Sequence, residues 1–243
     1  MTSVSGVVVV AHGGQSVSTA PTSALQLAVL RMVPLAAAIR HAVRRHPVVV
    51  LRPRFAVRGW NDAAASPVED LTRLLDDVRG QFGPVPVVLV GHSMGARAAM
   101  RAAGHPSVSA AAGLAPWLPP GEPVDQLAGR RILLAHGTAD AVTSAAETWA
   151  YAERARALTS VTEIEVRAGE HSMLWRAPLW HALAAAFACL SLGFSPFEQD
   201  IGGRPHIFVW HLVMGDFAVF HDAKCAALAP GVLPTTDVIR ALG

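Results

Sequence analysis

The sequence predicts an α/β fold: a minimal, mostly parallel sheet of about six strands with helices on both faces. Three observations lead there. Short apolar runs alternate with longer stretches of helical period between residues 7 and 190, the pattern of a sheet buried on both sides by crossover helices. A Gly-x-Ser-x-Gly pentad, Gly91-His92-Ser93-Met94-Gly95, stands between one such run and one such stretch. The chain of 243 residues is 52% hydrophobic and 16% charged, which excludes intrinsic disorder and supplies one sizeable core.

Val7 to Ala11 is the first strand. Leu25, Val29, Met32, Ala36, Ile39 and Val43 then recur at spacings of four and three, one apolar face of a helix. Pro34 lies inside that stripe and kinks it or splits it in two. A second strand starts at Val48 to Leu51, continues towards Val57 and stops at Gly59-Trp60-Asn61-Asp62. Ser66-Pro67-Val68-Glu69 has the spacing of a capping box with proline at the first helical position, and Val68, Leu71, Leu75, Val78 and Phe82 give the helix its apolar face. Val85 to Val90 is the third strand, followed by a helix over Met94 to Ala103. Val108 to Leu114 is the fourth, its Ala and Ser content weakening the pattern, and a Pro-rich connection from Pro116 to Pro123 leads to the fifth at Ile132 to Ala135. A helix over 146–158, a sixth strand at Thr162 to Val166 and a helix from Pro178 to Leu190 complete the alternation. From Ser195 the pattern changes, so the chain divides into a domain over 1–194 and a C-terminal extension over 195–243 of unassigned structure.

The formal charge of +2 leaves no basic footprint for nucleic acid. No run reaches the roughly 18 apolar residues of a membrane span. Val7-Val8-Val9-Val10 lacks the basic residues that precede a targeting signal and leads into a turn. Cys189 and Cys225 are too few for a disulfide framework and read as buried thiols. A soluble, cytoplasmic protein is expected.

The pentad carries the chemistry. A serine in a sharp turn between strand and helix needs very small residues two positions away on either side, because the chain reverses too tightly for side chains there. The turn lifts the hydroxyl clear of the sheet and places the Met94 N–H at a helix N-terminus, where it faces a developing oxyanion. Serine is a weak nucleophile alone and requires a base and a group that orients the base. Arg131 to Asp140 is a strand and a short loop ending in an acid, and Thr162 to His171 is a strand and a loop ending in a histidine. Loops after parallel strands emerge on one edge of the sheet, so Ser93, Asp140 and His171 can meet.

These residues resemble the α/β-hydrolase fold serine hydrolases, and more narrowly their small, capless, actinobacterial-type members, over about residues 5–192. Four separated features carry the resemblance: His12-Gly13-Gly14 after the first strand, the serine turn, the His-Gly-x-x-Asp loop and the Gly-x-His loop. It implies an α/β-hydrolase fold, with Ser93 as nucleophile, Asp140 as acid and His171 as base. It also implies Met94 and Gly14 as oxyanion-hole donors, with Gln15 the alternative to Gly14. No strand hairpin precedes Val7, and only 47 positions separate Ser93 from Asp140, which leaves no room for a cap domain after the fourth strand.

Other residues compete. Asp125 also precedes His171 and is a weaker candidate for the acid. His12 and His136 follow strands and brace turns, and His92 packs beside the serine. His206, His211, His221 and Asp222 match no metal-ligand spacing. Trp117 and Leu118 after the fourth strand, and Met173, Leu174 and Trp175 after His171, offer apolar walls, with Trp117 and Met173 the candidate substrate-binding residues. Trp60, Asn61 and Asp62 end a strand on the same edge, and Arg58 can meet an anion. The expected activity is cleavage of a small-molecule carboxylic ester bearing an apolar group, or of a thioester or amide, through an acyl-enzyme on Ser93 and with no metal or organic cofactor. An acyltransferase using the same residues, or a non-catalytic binding protein of the same fold, are the alternatives.

Overall fold

The computed structural model describes residues 3–194 and the strand 217–220. Its elements in chain order are β1 (Gly6–Ala11), α1 (Leu27–Leu30), α2 (Met32–Ala42), β2 (Val48–Leu51), α3 (Ser66–Phe82), β3 (Val87–His92), α4 (Met94–Ala102), β4 (Val108–Leu114), β5 (Arg131–Gly137), α5 (Ala145–Arg156), β6 (Ser160–Val166), α6 (Ala177–Ser191) and β7 (Phe217–Phe220). Among the described residues the sheet order is β2-β1-β3-β4-β5-β6-β7. β1 to β6 are parallel, and β7 pairs antiparallel with β6, Phe217 opposite Val166 and Phe220 opposite Glu163. The six parallel strands expected are therefore present, and β7 adds an edge from the C-terminal extension that the sequence left unassigned. The rest of 195–243, with Cys225 and the candidate metal residues His206, His211, His221 and Asp222, lies outside the described residues.

Alternate residues of each strand feed two cores. Val7, Val9, Leu89, Ile132 and Leu134 pack under α3, α4 and α5, while Val8, Val10, Val88, Val90 and Ala135 pack under α2 and α6. β4 is rich in small residues because it is a central strand: a Cβ added at Gly113 would come within 3.5 Å of Leu134, Pro116 and Ala96. The strand order reverses between β1 and β3, and there the loops that follow the two strands diverge to leave a crevice. The connection from β4 to β5 holds only a 3₁₀ turn at Asp125–Leu127.

Three local expectations are corrected. The Leu25 to Val43 stripe is split in two, one of the two outcomes expected of Pro34, but the break falls at Arg31 with Pro34 inside α2, and Leu25 lies outside both helices and is exposed. β2 stops at Leu51 without reaching Val57, because Pro53 has no N–H for the ladder. The following residues instead cross the β1 loop, with Gln15 paired to Gly59 and Pro21 to Val57. Ser66 makes no capping bond to α3. Its Oγ accepts from Asn61 Nδ2 and its N–H donates to the Trp60 carbonyl, so a tertiary contact displaces the local cap.

Glu122, buried in the β4–β5 connection, accepts from Arg97 and from Arg101 Nε at 2.6 Å on α4. The Arg97 guanidinium also lies 3.9 Å from the Trp60 ring centre and 4.4 Å from that of Trp117. Burial alone would raise the Glu122 pKa, but the two guanidinium groups outweigh it and hold it below the ordinary value. Glu122→Gln is expected to cost about 2 kcal/mol, discounted because Arg101 is 35% exposed. Because the folded pKa is depressed, the charge contributes at neutral pH and is lost as pH falls below the ordinary glutamate range. Urea melts at pH 7 and pH 3 should therefore show the variant's deficit shrinking in acid.

Candidate active site

Ser93 sits between β3 and α4 with φ 54° and ψ −119°, a left-handed conformation that costs a non-glycine residue of order 1–3 kcal/mol. Four hydrogen bonds hold it there. Its N–H donates to the Leu114 carbonyl, and its own carbonyl accepts from Ala96, Arg97 and Trp117. The flanking glycines are required by contact. A Cβ at Gly91 would lie 2.3 Å from the Gly95 carbonyl oxygen, and one at Gly95 would lie 2.3 Å from that of His12. α4 thus meets β3 and β1 backbone to backbone. Ser93 is only 8% exposed, so its hydroxyl opens onto a narrow crevice rather than standing free.

The loop after β6 brings His171 Nε2 to 3.0 Å from Ser93 Oγ, and the loop after β5 brings Asp140 Oδ2 to 2.9 Å from His171 Nδ1. The chain Oγ–H to Nε2 and Nδ1–H to Oδ2 is continuous. Burial would raise the Asp140 pKa, but bonds from His136, His171 and the backbone N–H groups of Thr143 and Val142 outweigh it and hold it well below the usual carboxylate range. The geometry allows a proton to pass from Oγ to Nε2 while Asp140 stays ionised. Asp125, the competing acid, is exposed in the 3₁₀ turn.

His12 and His92 clamp the two sides of the crevice. His12 Nδ1 donates to the Gly13 carbonyl at 2.6 Å and Nε2 accepts from the Phe55 N–H at 3.1 Å. In a trans peptide the N–H points opposite the C=O, so this bond also aims the Gly14 N–H. His92 Nε2 donates to the His171 carbonyl at 2.8 Å. Burial, together with His171 and Arg31, pushes its pKa down to about 3, so the ring stays neutral beside His171. Of the two oxyanion candidates on this loop, the Gln15 N–H is bonded to the Arg58 carbonyl at 2.8 Å. Met94, the first residue of α4, carries one of the N–H groups with no partner inside its helix.

The candidate wall residues divide. Trp117 is half-buried, with its ring edge-on to Trp60 and over Arg97. Met173 is 3% exposed and packed in the core beneath α6, and it is Leu174 and Trp175 that stand out from that loop. Glu170 shapes the loop by accepting from the N–H groups of Met173, Leu174 and Trp175 at 2.6–2.9 Å. Trp60 is buried, and Arg58 Nε donates to the Pro21 carbonyl. A cleft of about 120 Å³ is lined by His12, Gly13, Gly14, Gln15 and Arg58 from the loops after β1 and β2, with Gln26 and Ala28. A larger one of about 490 Å³, between Ala139, Ala168, Trp175 and Arg176, touches neither Ser93 nor His171. Neither residue lines the smaller cleft either, but its wall at Gly13 packs against the serine, an added Cβ there lying 3.3 Å from Ser93 Cβ. Thr143 was not singled out by the sequence: its Oγ1 donates to Asp140 Oδ2 at 2.9 Å and lies 3.2 Å from His171 Nδ1. A lone threonine in a loop gives no sequence signal of such a role.

A family model described as the alpha/beta hydrolase family matches residues 8–242. The chain belongs to the alpha/beta hydrolase family. Among solved structures similar to this family member, an alpha-beta serine hydrolase homologue from Coxiella burnetii is 18% identical, with a TM-score of 0.57 over 76% of this chain and 86% of that one. A serine hydrolase without lid from Xanthomonas campestris is 18% identical, with a TM-score of 0.53 over 76% and 80%. Est1E from Butyrivibrio proteoclasticus, in a structure with ferulic acid bound, is 12% identical, with a TM-score of 0.57 over 77% and 90%. At these identities the likeness is one of fold, and no curated protein matches the chain in sequence. Within the alpha/beta hydrolase family this is a member with a short β4–β5 connection, and no helix of its described residues is long and apolar enough to cross a membrane.

Proposed function

We propose that the chain is a cytoplasmic serine hydrolase that cleaves a carboxylic ester through an acyl-enzyme on Ser93. The observation that carries the proposal is the continuous hydrogen-bond chain from Ser93 Oγ through His171 to Asp140, placed where β1 and β3 diverge. Ser93 Oγ attacks the ester carbonyl carbon as His171 Nε2 takes the hydroxyl proton, and Asp140 stabilises the imidazolium that forms. The imidazolium then protonates the leaving alkoxide as the C–O bond breaks. Water, deprotonated by His171, attacks the acyl-enzyme and releases the acid. The N–H groups of Met94 and Gly14 face the tetrahedral oxyanion, a contribution of about 2.7–4 kcal/mol per donor, and the His12 bond to the Gly13 carbonyl fixes the second of them.

The rim supports an ester with an apolar group. Val17, Leu25, Leu27, Val142, Leu174 and Trp175 are 64–85% exposed; Leu27 opens α1, and the others lie on connections that follow β1, β5 or β6 at the edge where Ser93 lies. Trp117 is the candidate wall on the β4 side.

A fluorophosphonate probe is expected to label Ser93, with a rate that falls in the acid range where imidazoles take up a proton. Mass spectrometry of the labelled peptide checks the site. Absence of label, or label at a rate flat down to pH 5, would sink the proposal.

A further inference from the structure

We propose that His136 is a positioning residue that sets how strongly Asp140 holds His171, and with it the pH range in which the Ser93 site works; only the last clause rests on the ester-hydrolase reading. His136 is fully buried at the end of β5, four residues before Asp140. Its Nδ1 lies 2.8 Å from Thr148 Oγ1 on α5, and its Nε2 lies 3.2 Å from both the Thr143 carbonyl oxygen and Asp140 Oδ2. Both neighbours of Nε2 are acceptors, so that nitrogen carries a proton whichever state Nδ1 adopts.

The consequence falls on one oxygen. Asp140 Oδ1 accepts the N–H groups of Val142 and Thr143 at 2.8 and 2.9 Å. Oδ2 faces three donors: His171 Nδ1 at 2.9 Å, Thr143 Oγ1 at 2.9 Å and His136 Nε2 at 3.2 Å. A carboxylate offers about four lone-pair directions in all, so His136 and His171 compete for Oδ2. Charge drawn by His136 is unavailable to stabilise the protonated form of His171. Thr148 can send its single hydroxyl proton to Nδ1 or to the Ser144 carbonyl at 3.2 Å, and the second choice accommodates a proton on Nδ1 as well, which sharpens the competition. Among the described residues, the other titratable or charged groups around the network are His92 from the end of β3, with its ring 4.9 Å from that of His171, Arg31 before α2, and Glu170 on the His171 loop. Trp149 from α5 meets His136 edge-on. Of these groups, only His136 shares the acid with His171.

Two variants separate this role from packing. In His136→Asn the amide nitrogen takes the place of Nδ1 and reaches Thr148 but not Asp140; in His136→Gln it takes the place of Nε2 and reaches Asp140. The full chain, labelled with ¹³C at histidine Cε1, is titrated by NMR, with the His171 signal assigned by its loss in His171→Gln. His136→Asn is expected to raise the His171 midpoint by about 0.5–1 unit and to move the acid limb of Ser93 labelling by the same amount, while His136→Gln leaves both where the wild type has them. A midpoint unmoved in His136→Asn, or moved equally in both variants, overturns the proposal. The ¹⁵N shift of His136 Nε2 in the wild-type chain needs no variant: a protonated-type signal is expected, and an unprotonated one overturns it. Because the titration reads His171 directly, a wild type that fails to label at Ser93 would defeat the hydrolase reading while leaving this test intact.

Discussion

Ser93→Ala is expected to lower kcat/KM towards an activated ester by roughly 10⁴–10⁶ while shifting stability by no more than about 1 kcal/mol. The activity term is large because, on the proposed mechanism, the bond that forms is to Oγ itself; the oxyanion donors and binding contacts remain but have no nucleophile to assist. The stability term is small because alanine keeps the Cβ and inherits the same φ of 54°, so the backbone strain is unchanged and the side-chain bond lost is that to His171 Nε2. Steady-state kinetics beside a urea melt decides it. A folded variant with wild-type turnover would mean that the chemistry lies elsewhere.

Gly95→Ala is expected to destabilise the chain by about 3 kcal/mol, at the upper end of small-to-large substitutions. The added methyl would lie 2.3 Å from the His12 carbonyl oxygen and 2.6 Å from that of Ala11. Both are backbone atoms, at the end of β1 and just beyond it, so no rotamer change can absorb the overlap; α4 must move off the sheet. The movement falls on the peptides that lead into Gly13 and Gly14, so activity should drop further than stability explains. Gly80 in α3 is the control, since nothing lies within 4 Å of its added Cβ. There an alanine should stabilise by about 0.5–1 kcal/mol through helix propensity. Paired chemical melts measure both, and equal effects at the two positions would show that propensity rather than contact governs Gly95.

The parallel sheet was legible because its signal is one-dimensional. Val7 to Val10 and Val87 to Val90 are buried on both faces and need no alternation, whereas the α3 face of Leu71, Leu75 and Val78 repeats at the helical period. That the loops carrying Ser93, Asp140 and His171 share an edge also follows from direction alone, since β3, β5 and β6 run parallel. The start signal at Ser66 placed the beginning of α3, with Pro67 in its first turn, but the capping bond it implies is absent for the complementary reason. A capping box presumes that its serine has no better partner, and Asn61, folded back from the β2 connection, supplies one.

Burial near the site was the least legible feature. Met173 and Trp175 are two positions apart and equally apolar, yet one is sealed beneath α6 and the other is 85% exposed. The three N–H groups gathered by the Glu170 carboxylate turn the loop between them, and nothing in the residue types fixes which way. Periodicity and turn chemistry, which act between neighbours in the chain, were thus enough to determine the α/β class, the helices on both faces, the short β4–β5 connection and the edge on which the site lies. Which hydrogen-bond donors converge on Asp140, which nitrogen of His136 faces it, and which N–H of the β1 loop is already engaged were decided only by the tertiary structure, because each depends on side chains and peptides that are remote in sequence and meet at distances set by the packing of α4, α5 and the loops around them.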